Sequence, residues 1–568
     1  MNACLCRHAL QSVRRRFERL YGPSLADRCT ARFAALVGRY ALEPRCAAPH
    51  VSWSERDAVL ITYADGVSDG ATPPLTALRR FLAAHAGGAF STVHLLPFFP
   101  SSSDDGFSVV HFRTVDPVAG AWADVRALGE DHALMFDLVL NHASRRSNWF
   151  HDFDAGIAPA CDYFITADPA ADLSAVVRPR THPLLTPVAA QGSIRHLWTT
   201  FSDDQLDLNY ANPDLLFEIL DILLFYVSQG ARILRLDAVA YLWKRPGTPC
   251  VHLPETHEIV KLMRDLVDIA APGTLLLTET NVPHAENISY FGDGDEAHLV
   301  YQFSLPPLLL LAFLDGDATA LTRWAAHLAP PPAGCTFFNF TASHDGIGVR
   351  PLQGLADDHA IDRLAGHVRA RGGQVSMKSN PDGSESPYEL NTTWFDALGL
   401  PGDSPALHLA RFLCSQIIAL SLQGIPAVYL HSLTATPNDQ EGFARTGRAR
   451  TLNRKRWNTA ELEELIADDT TPCATALREL TRVLRLRASC PAFHPDQPQQ
   501  VLTLDPRLFV VQRGGPDGVL LIANVSSSPV PLPPVARDLR NLLSGLGVPP
   551  GDLPPCAALW LQRDKPAS

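Results

Sequence analysis

The chain has 568 residues, of which 46% are apolar and 19% charged, and its formal net charge is −12. This is the composition of an ordinary globular protein, and the length exceeds what one compact core usually holds. The acidic balance argues against nucleic acid or an anionic membrane as a partner, since both favour a basic face. An anionic substrate would need its own local cluster of Arg or Lys.

The chain opens MNACLCRHALQSVRRRFERLYG, which has arginines but no apolar core of the kind a secretory leader carries. Residues 1–50 read as a helical extension, with Phe17, Leu20, Leu25, Phe33, Leu36 and Leu42 interleaved with Arg. Eight short apolar runs follow at wide intervals: VLITY (59–63), TVHLLPF (92–98), ALMFDLVL (133–140), ARILRLDAVA (231–240), TLLLTET (274–280), HLVYQF (298–303), CTFFNF (335–340) and IPAVYL (425–430). Runs of this kind are what buried parallel strands look like. Amphipathic stretches such as PPLTALRRFLAAH and DLLFEILDILLFYVSQG lie between them. Strands alternating with helices predict a (β/α)8 barrel, here over residues 51–475.

Two gaps are too long for simple loops, and inserted subdomains are expected at about 142–212 and 346–412. From 476 to 568 the chain turns to short β-like runs with many prolines, which predicts a small all-β domain. The most apolar stretch, 299–314, is broken by Gln302, Pro306 and Pro307. It falls short of the ~20 residues a spanning helix needs. The 11 cysteines are scattered, with Cys4 and Cys6 the only close pair, so free thiols in a reducing cytoplasm are expected.

A barrel of this class works at the C-terminal ends of its strands, so the polar residues there are the candidates. They are Asp65, His94, Asp137, Asn141, His142, Arg235, Asp237, Glu279, His344 and Asp345. Arg235 and Asp237 are two apart on one strand and project to one face, where the guanidinium would keep the carboxylate ionised. Glu279 follows an apolar run, and a carboxyl in such surroundings near a second carboxylate keeps its proton. An internal salt-bridge network would explain any one of these residues far better than it explains the whole set.

Four segments carry a resemblance. DLVLNH (137–142), RLDAVA (235–240), TET (278–280) and SHD (343–345) are similar, in order and spacing, to the signature regions of the α-amylase family, and GIPAVY (424–429) resembles that family's eighth strand. The resemblance implies Asp237 as nucleophile, Glu279 as general acid/base and Asp345 as transition-state stabiliser. It also implies Arg235 as the group orienting the nucleophile, and His94, Asn141, His142 and His344 around a glucosyl unit. Asp65 and Arg454 would form an Asp/Arg pair closing the pocket. A retaining reaction with two carboxyls ~5–5.5 Å apart follows from those roles. No further cluster joins Asn141, so neither metal nor cofactor is expected.

HLLPFFPSSSDDGFSV (94–109), AWADVRALG (121–129) and TTFSDDQLDLNYANPDLL (199–216) resemble the sucrose phosphorylase branch of that family. VVRPRTHPLLTP (176–187), WKRPGTPCVHLPETHEIVKL (243–262) and SMKSNPDGSESPYELNTTWFDALG (376–399) look most like glucosylglycerate phosphorylases. The implied reaction is reversible phosphorolysis of 2-O-α-D-glucosyl-D-glycerate, with inorganic phosphate and the α-glucoside as partners of a monomer or homodimer. Arg178, Arg180, Arg350 and Lys378, in or beside the insertions, are the candidate cations for phosphate and acceptor. Phosphorolysis of sucrose, sucrose 6′-phosphate or glucosylglycerol, plain α-glucoside hydrolysis, and a non-catalytic sugar-binding barrel stay open.

Overall fold

The computed structural model describes residues 7–40, 53–357, 359–380, 383–548 and 551–563. Its centre is a closed barrel of eight parallel strands. These are β1 (Val59–Thr62), β2 (Thr92–Leu95), β3 (Ala133–Val139), β4 (Ala231–Asp237), β5 (Leu275–Thr278), β6 (Leu299–Tyr301), β7 (Thr336–Phe340) and β8 (Ile425–Tyr429). Each coincides with one of the eight apolar runs. The ring closes where β1 pairs with both β2 and β8. The strands are apolar without alternation because side chains on one face fill the barrel and those on the other meet the helices.

The helices between strands are set by local chemistry. Helix Pro213–Ser228 starts with Pro at its first turn and an Asn212 side chain accepting from the Asp214 amide, and it buries a broad Leu/Ile face. Helix Arg7–Tyr21 lies on this outer layer: Phe17 stacks on Phe217 with centroids 5.6 Å apart, and Arg16 donates to Asp265 at 2.6 Å. A second helix, Pro23–Tyr40, completes the pair, while 41–50 of the expected extension falls outside the described residues.

The two stretches expected as insertions contain strand pairs of their own. Within 142–212, His142–Ser144 pairs antiparallel with Gln205–Asp207, and Leu185–Ala190 with Ser193–Trp198. Within 346–412, strands Gln374–Ser379 and Glu385–Asn391 form a hairpin. The end placed at 412 is too late, because helix Pro405–Ser421 runs through it and packs against β7 as part of the barrel layer. The boundary at 475/476 likewise falls inside helix Pro472–Ala488, whose buried Arg487 donates to the Glu55 and Asp57 carbonyls beside β1. The all-β unit starts at Gln499, in a six-stranded sheet with its own small core of Val510, Ile522 and Leu561. Among the described residues no helix is long and apolar enough to cross a membrane.

Candidate active site

The site grows from the ends of β3 and β4. Parallel register sets Asp137 beside Arg235 and Val139 beside Asp237. Asp237 is therefore two residues beyond Arg235 on the same face, and Arg235 bridges the two carboxylates. Its Nη1 donates to Asp137 Oδ1 and, at 2.7 Å, to Asp237 Oδ1. The second oxygen of Asp137 meets His94 Nε2 at 2.6 Å. Burial costs Asp137 its hydration, but Arg235 and His94 more than offset it and hold its carboxyl below the usual range.

Chain direction changes just after the nucleophile candidate. Ala238 takes a left-handed conformation (φ 52°), which costs a non-glycine residue about a kcal/mol. The turn aims its N–H at Glu279 Oε2, 2.9 Å away at the end of β5. Arg235 Nη2 lies 4.0 Å from that oxygen. Burial pushes both Asp237 and Glu279 up to about 7; repulsion from Asp137 and Asp345 adds to it at Asp237, repulsion from Asp237 and Asp345 adds to it at Glu279, and Arg235 works against both. The two carboxyls thus share about one proton near neutrality. Arg235 bonds Asp237 directly and Glu279 only at a distance, so the proton belongs on Glu279.

Asp345 follows β7 on the far wall. Arg450 and Arg454, charged at all working pH, hold its carboxyl well below the usual range despite burial. Arg450 Nη1 sits 3.0 Å from Asp345 and 3.4 Å from Asp104, and its Nη2 3.2 Å from Glu389. One guanidinium therefore ties three carboxylates into the wall. The His344 ring stacks on Phe107 at 4.6 Å, and burial pushes its pKa down to about 3, so it is a neutral imidazole. Gly346 allows this wall to close: a Cβ there would meet Glu389 Cγ and the Leu390 carbonyl at 2.6 Å.

One chamber is lined by Asp237, Glu279, Asp345, His344, His142 and Arg180. The other expected residues stand elsewhere. Arg235 and His94 lie beneath it, as supports. The Asp65–Arg454 pairing is corrected: Asp65 pairs with Arg456 at 2.5 Å, and Arg454 with Asp105 at 2.6 Å while its Nε donates to the His344 carbonyl. The carboxylate and guanidinium that close the chamber are Asp104 and Arg450. Asn141 is also displaced from its expected place. It is fully buried, and its Oδ1 accepts from Lys244 Nζ at 2.7 Å. That ammonium also binds Asp207 at 2.6 Å and the Tyr241 carbonyl, so Lys244 gathers three oxygens around one buried charge beside the chamber.

Sequence reasoning missed Asp104, Phe107, Phe201, Asn281, Tyr388, Glu389 and Arg450 in the lining. Asp104 sits in SSSDDGF, where the sequence alone does not say which of the two acids points inward. Among the four expected anion-binding cations, only Arg180 enters the chamber, its guanidinium 5.2 Å from the Tyr388 ring centre. Arg178, Arg350 and Lys378 line a neighbouring cavity that shares Tyr388 as a wall.

Comparison with known proteins agrees with this architecture. The α-amylase catalytic-domain family model matches residues 88–323. A glucosylglycerate phosphorylase of Allomeiothermus silvanus is 49% identical over 512 residues, 90% of this chain and 91% of that protein. The chain belongs to the α-amylase family, in its phosphorylase branch. A glucosylglycerate phosphorylase of Escherichia coli is 46% identical, covering 84% of this chain and 86% of its own. The crystal structure of sucrose 6F-phosphate phosphorylase from Thermoanaerobacter thermosaccharolyticum superposes with a TM-score of 0.73 at 25% identity, over 84% of this chain and 96% of that one.

Proposed function

We propose that the chain is a retaining, cytoplasmic phosphorylase of 2-O-α-D-glucosyl-D-glycerate. What carries the reading is a pair of carboxyls on one guanidinium, the buried Asp237 at 2.7 Å and the partly buried Glu279 at 4.0 Å, in a chain half identical to glucosylglycerate phosphorylases. Asp237 attacks the anomeric carbon as Glu279 gives its proton to the departing glyceryl oxygen, so glycerate leaves with its hydroxyl restored. The sugar is then an ester of Asp237. Positive charge developing on the ring is met by the ionised Asp345. A phosphate oxygen attacks the same carbon from the face glycerate left, and Glu279 takes the proton if the attacking oxygen carries one. The C–O bond to Asp237 breaks and α-D-glucose 1-phosphate forms with configuration retained.

The sugar end of the chamber is closed by Asp104, Arg450 and the neutral His344, which offer acceptors and donors for hydroxyls. Arg180, beside Tyr388, stands on the acceptor side, where a phosphate or carboxylate needs a fixed fork of donors. The test is synthesis from α-glucose 1-phosphate, following phosphate release with D-glycerate, fructose, fructose 6-phosphate, glycerol or water as sole acceptor. Fast release with D-glycerate alone is expected. Release with fructose or glycerol instead would move the substrate, and release only in water would make the enzyme a hydrolase.

A further inference from the structure

Beside the catalytic chamber lies a second cavity of about 680 Å³, roofed by the two insertions. Its lining includes Arg178, Arg350 and Lys378, with Tyr388 forming the wall shared with the chamber. Two short segments supply charge to both sides of that wall. In VVRPR, Arg178 faces the outer cavity and Arg180 the inner chamber. In the hairpin, Lys378 faces the outer cavity from one strand, while Tyr388 and Glu389 reach the inner chamber from the other.

The outer cations are poorly neutralised. Arg178 donates to the Thr181 and His182 carbonyls, and Lys378 to Asn380 Oδ1 at 3.0 Å. Among the described residues neither has a carboxylate within ion-pair distance. Arg350 has one, the 41%-exposed Glu286, at 3.4 Å. Three cations against one half-exposed acid is a local excess of positive charge in a chain whose net charge is −12. Burial and the nearby Arg350 push the Lys378 pKa down, as expected where two cations are gathered with too little counter-charge. Cations held together like this around a cavity are repelled by one another and relieved by an anion. A carboxylate or phosphate fits the forked donors of Arg and the point charge of Lys.

We infer that the cavity bounded by Arg178, Arg350 and Lys378 is a second small-oxyanion site, separate from the one in which the acceptor reacts, where phosphate or the glycerate carboxylate waits behind Tyr388. It rests on the phosphorylase reading for its occupants, since two anions must replace each other on one glucosyl-enzyme. An outer site lets one anion be held while the other leaves, without leaving the ester to water.

The experiment is calorimetric titration of the full chain, first with inorganic phosphate and separately with D-glycerate, comparing wild type with an Arg350→Met/Lys378→Met double variant. Wild type is expected to bind two equivalents of at least one of the two anions and the variant one. The anion that reaches two identifies the occupant. The variant's KM for that anion is expected to rise at least tenfold. One equivalent of each anion in wild type, or two in the variant, overturns the proposal. Should the double variant fail to fold, Lys378→Gln alone is expected to weaken the second binding event at least threefold, and unchanged binding overturns it as well. Failure of the phosphorylase reading is seen separately, as absence of phosphate-dependent cleavage of glucosylglycerate by wild type.

Discussion

Replacing Lys244 with Met tests whether the first insertion is locked to the barrel by one buried ammonium. The lysine side chain is 3% exposed, and the Asp207 carboxylate it binds at 2.6 Å is not exposed at all. Met keeps the apolar stem and deletes the charge. Asp207 keeps the Thr200 amide at 2.9 Å and its hydroxyl at 2.5 Å, but loses the one cation within ion-pair distance among the described residues. Leaving one member of a buried ion pair alone costs about 3–5 kcal/mol. For a chain this long the urea dependence is at least about 3 kcal/mol/M, so the midpoint should fall by about 1 M. Intrinsic fluorescence would follow the loss, since Trp198 is buried in this insertion. The partner variant Asp207→Asn keeps the Thr200 contacts and removes the charge, so in the double variant much of the penalty should disappear. A coupling energy of at least about 2 kcal/mol is expected from that cycle. A midpoint drop below about 0.3 M for Lys244→Met, or additive single variants, would refute the lock.

The remaining predictions concern the chemistry. Asp237→Asn should lower phosphorolysis by on the order of 10⁴-fold or more, with no labelled glucosyl-enzyme in intact-mass spectra after a slow fluoride substrate. Glu279→Gln should slow glucosylglycerate cleavage by roughly 10²–10⁴-fold but cost far less with α-glucosyl fluoride, whose leaving group needs no proton. Because burial and repulsion raise both carboxyls to about 7, kcat/KM should be bell-shaped around neutral pH. Activity falls at lower pH as Asp237 protonates and at higher pH as Glu279 loses its proton. Asp345 is one of the charges raising both groups, so the residual activity of Asp345→Asn should peak at lower pH than wild type; a peak at unchanged or higher pH would contradict that coupling.

The barrel was legible because its strands are buried on both faces, which leaves runs such as TLLLT and TFFNF with no polar partner in sequence. The carboxylates were legible for the converse reason: Asp137, Asp237 and Glu279 interrupt those runs where only a pair or a reaction keeps a charge. The closing pair of the chamber was not legible. Asp104 and Asp105 are neighbours in one loop, and Arg450, Arg454 and Arg456 alternate along another. Nothing in such a string says which acid meets which base. Left-handed backbone at Asp104 and Asp105 (φ 51° and 48°) sends the two carboxylates to different cavities. The domain limits failed where a barrel helix, Pro405–Ser421 or Pro472–Ala488, ran through a boundary drawn from composition.

The arrangement also explains how an acidic chamber can accept anions. Asp237, Glu279, Asp345, Asp104 and Glu389 all line it, and left bare they would repel phosphate and glycerate alike. Two devices prevent that. Burial holds the Asp237 and Glu279 carboxyls toward their uncharged forms, and Arg450 spreads over Asp345, Asp104 and Glu389. Both devices act on the sugar side, where the ring is neutral until the transition state. In the proposed reading, positive charge on the acceptor side comes from the insertions instead, through Arg180 inside the chamber and Arg178, Arg350 and Lys378 in the cavity beyond Tyr388. Strand ends hold the carboxylates rigidly, and the inserted segments carry the cations. Acceptor choice can therefore change with the insertions while the glucosyl-transferring floor built on Arg235 stays as it is.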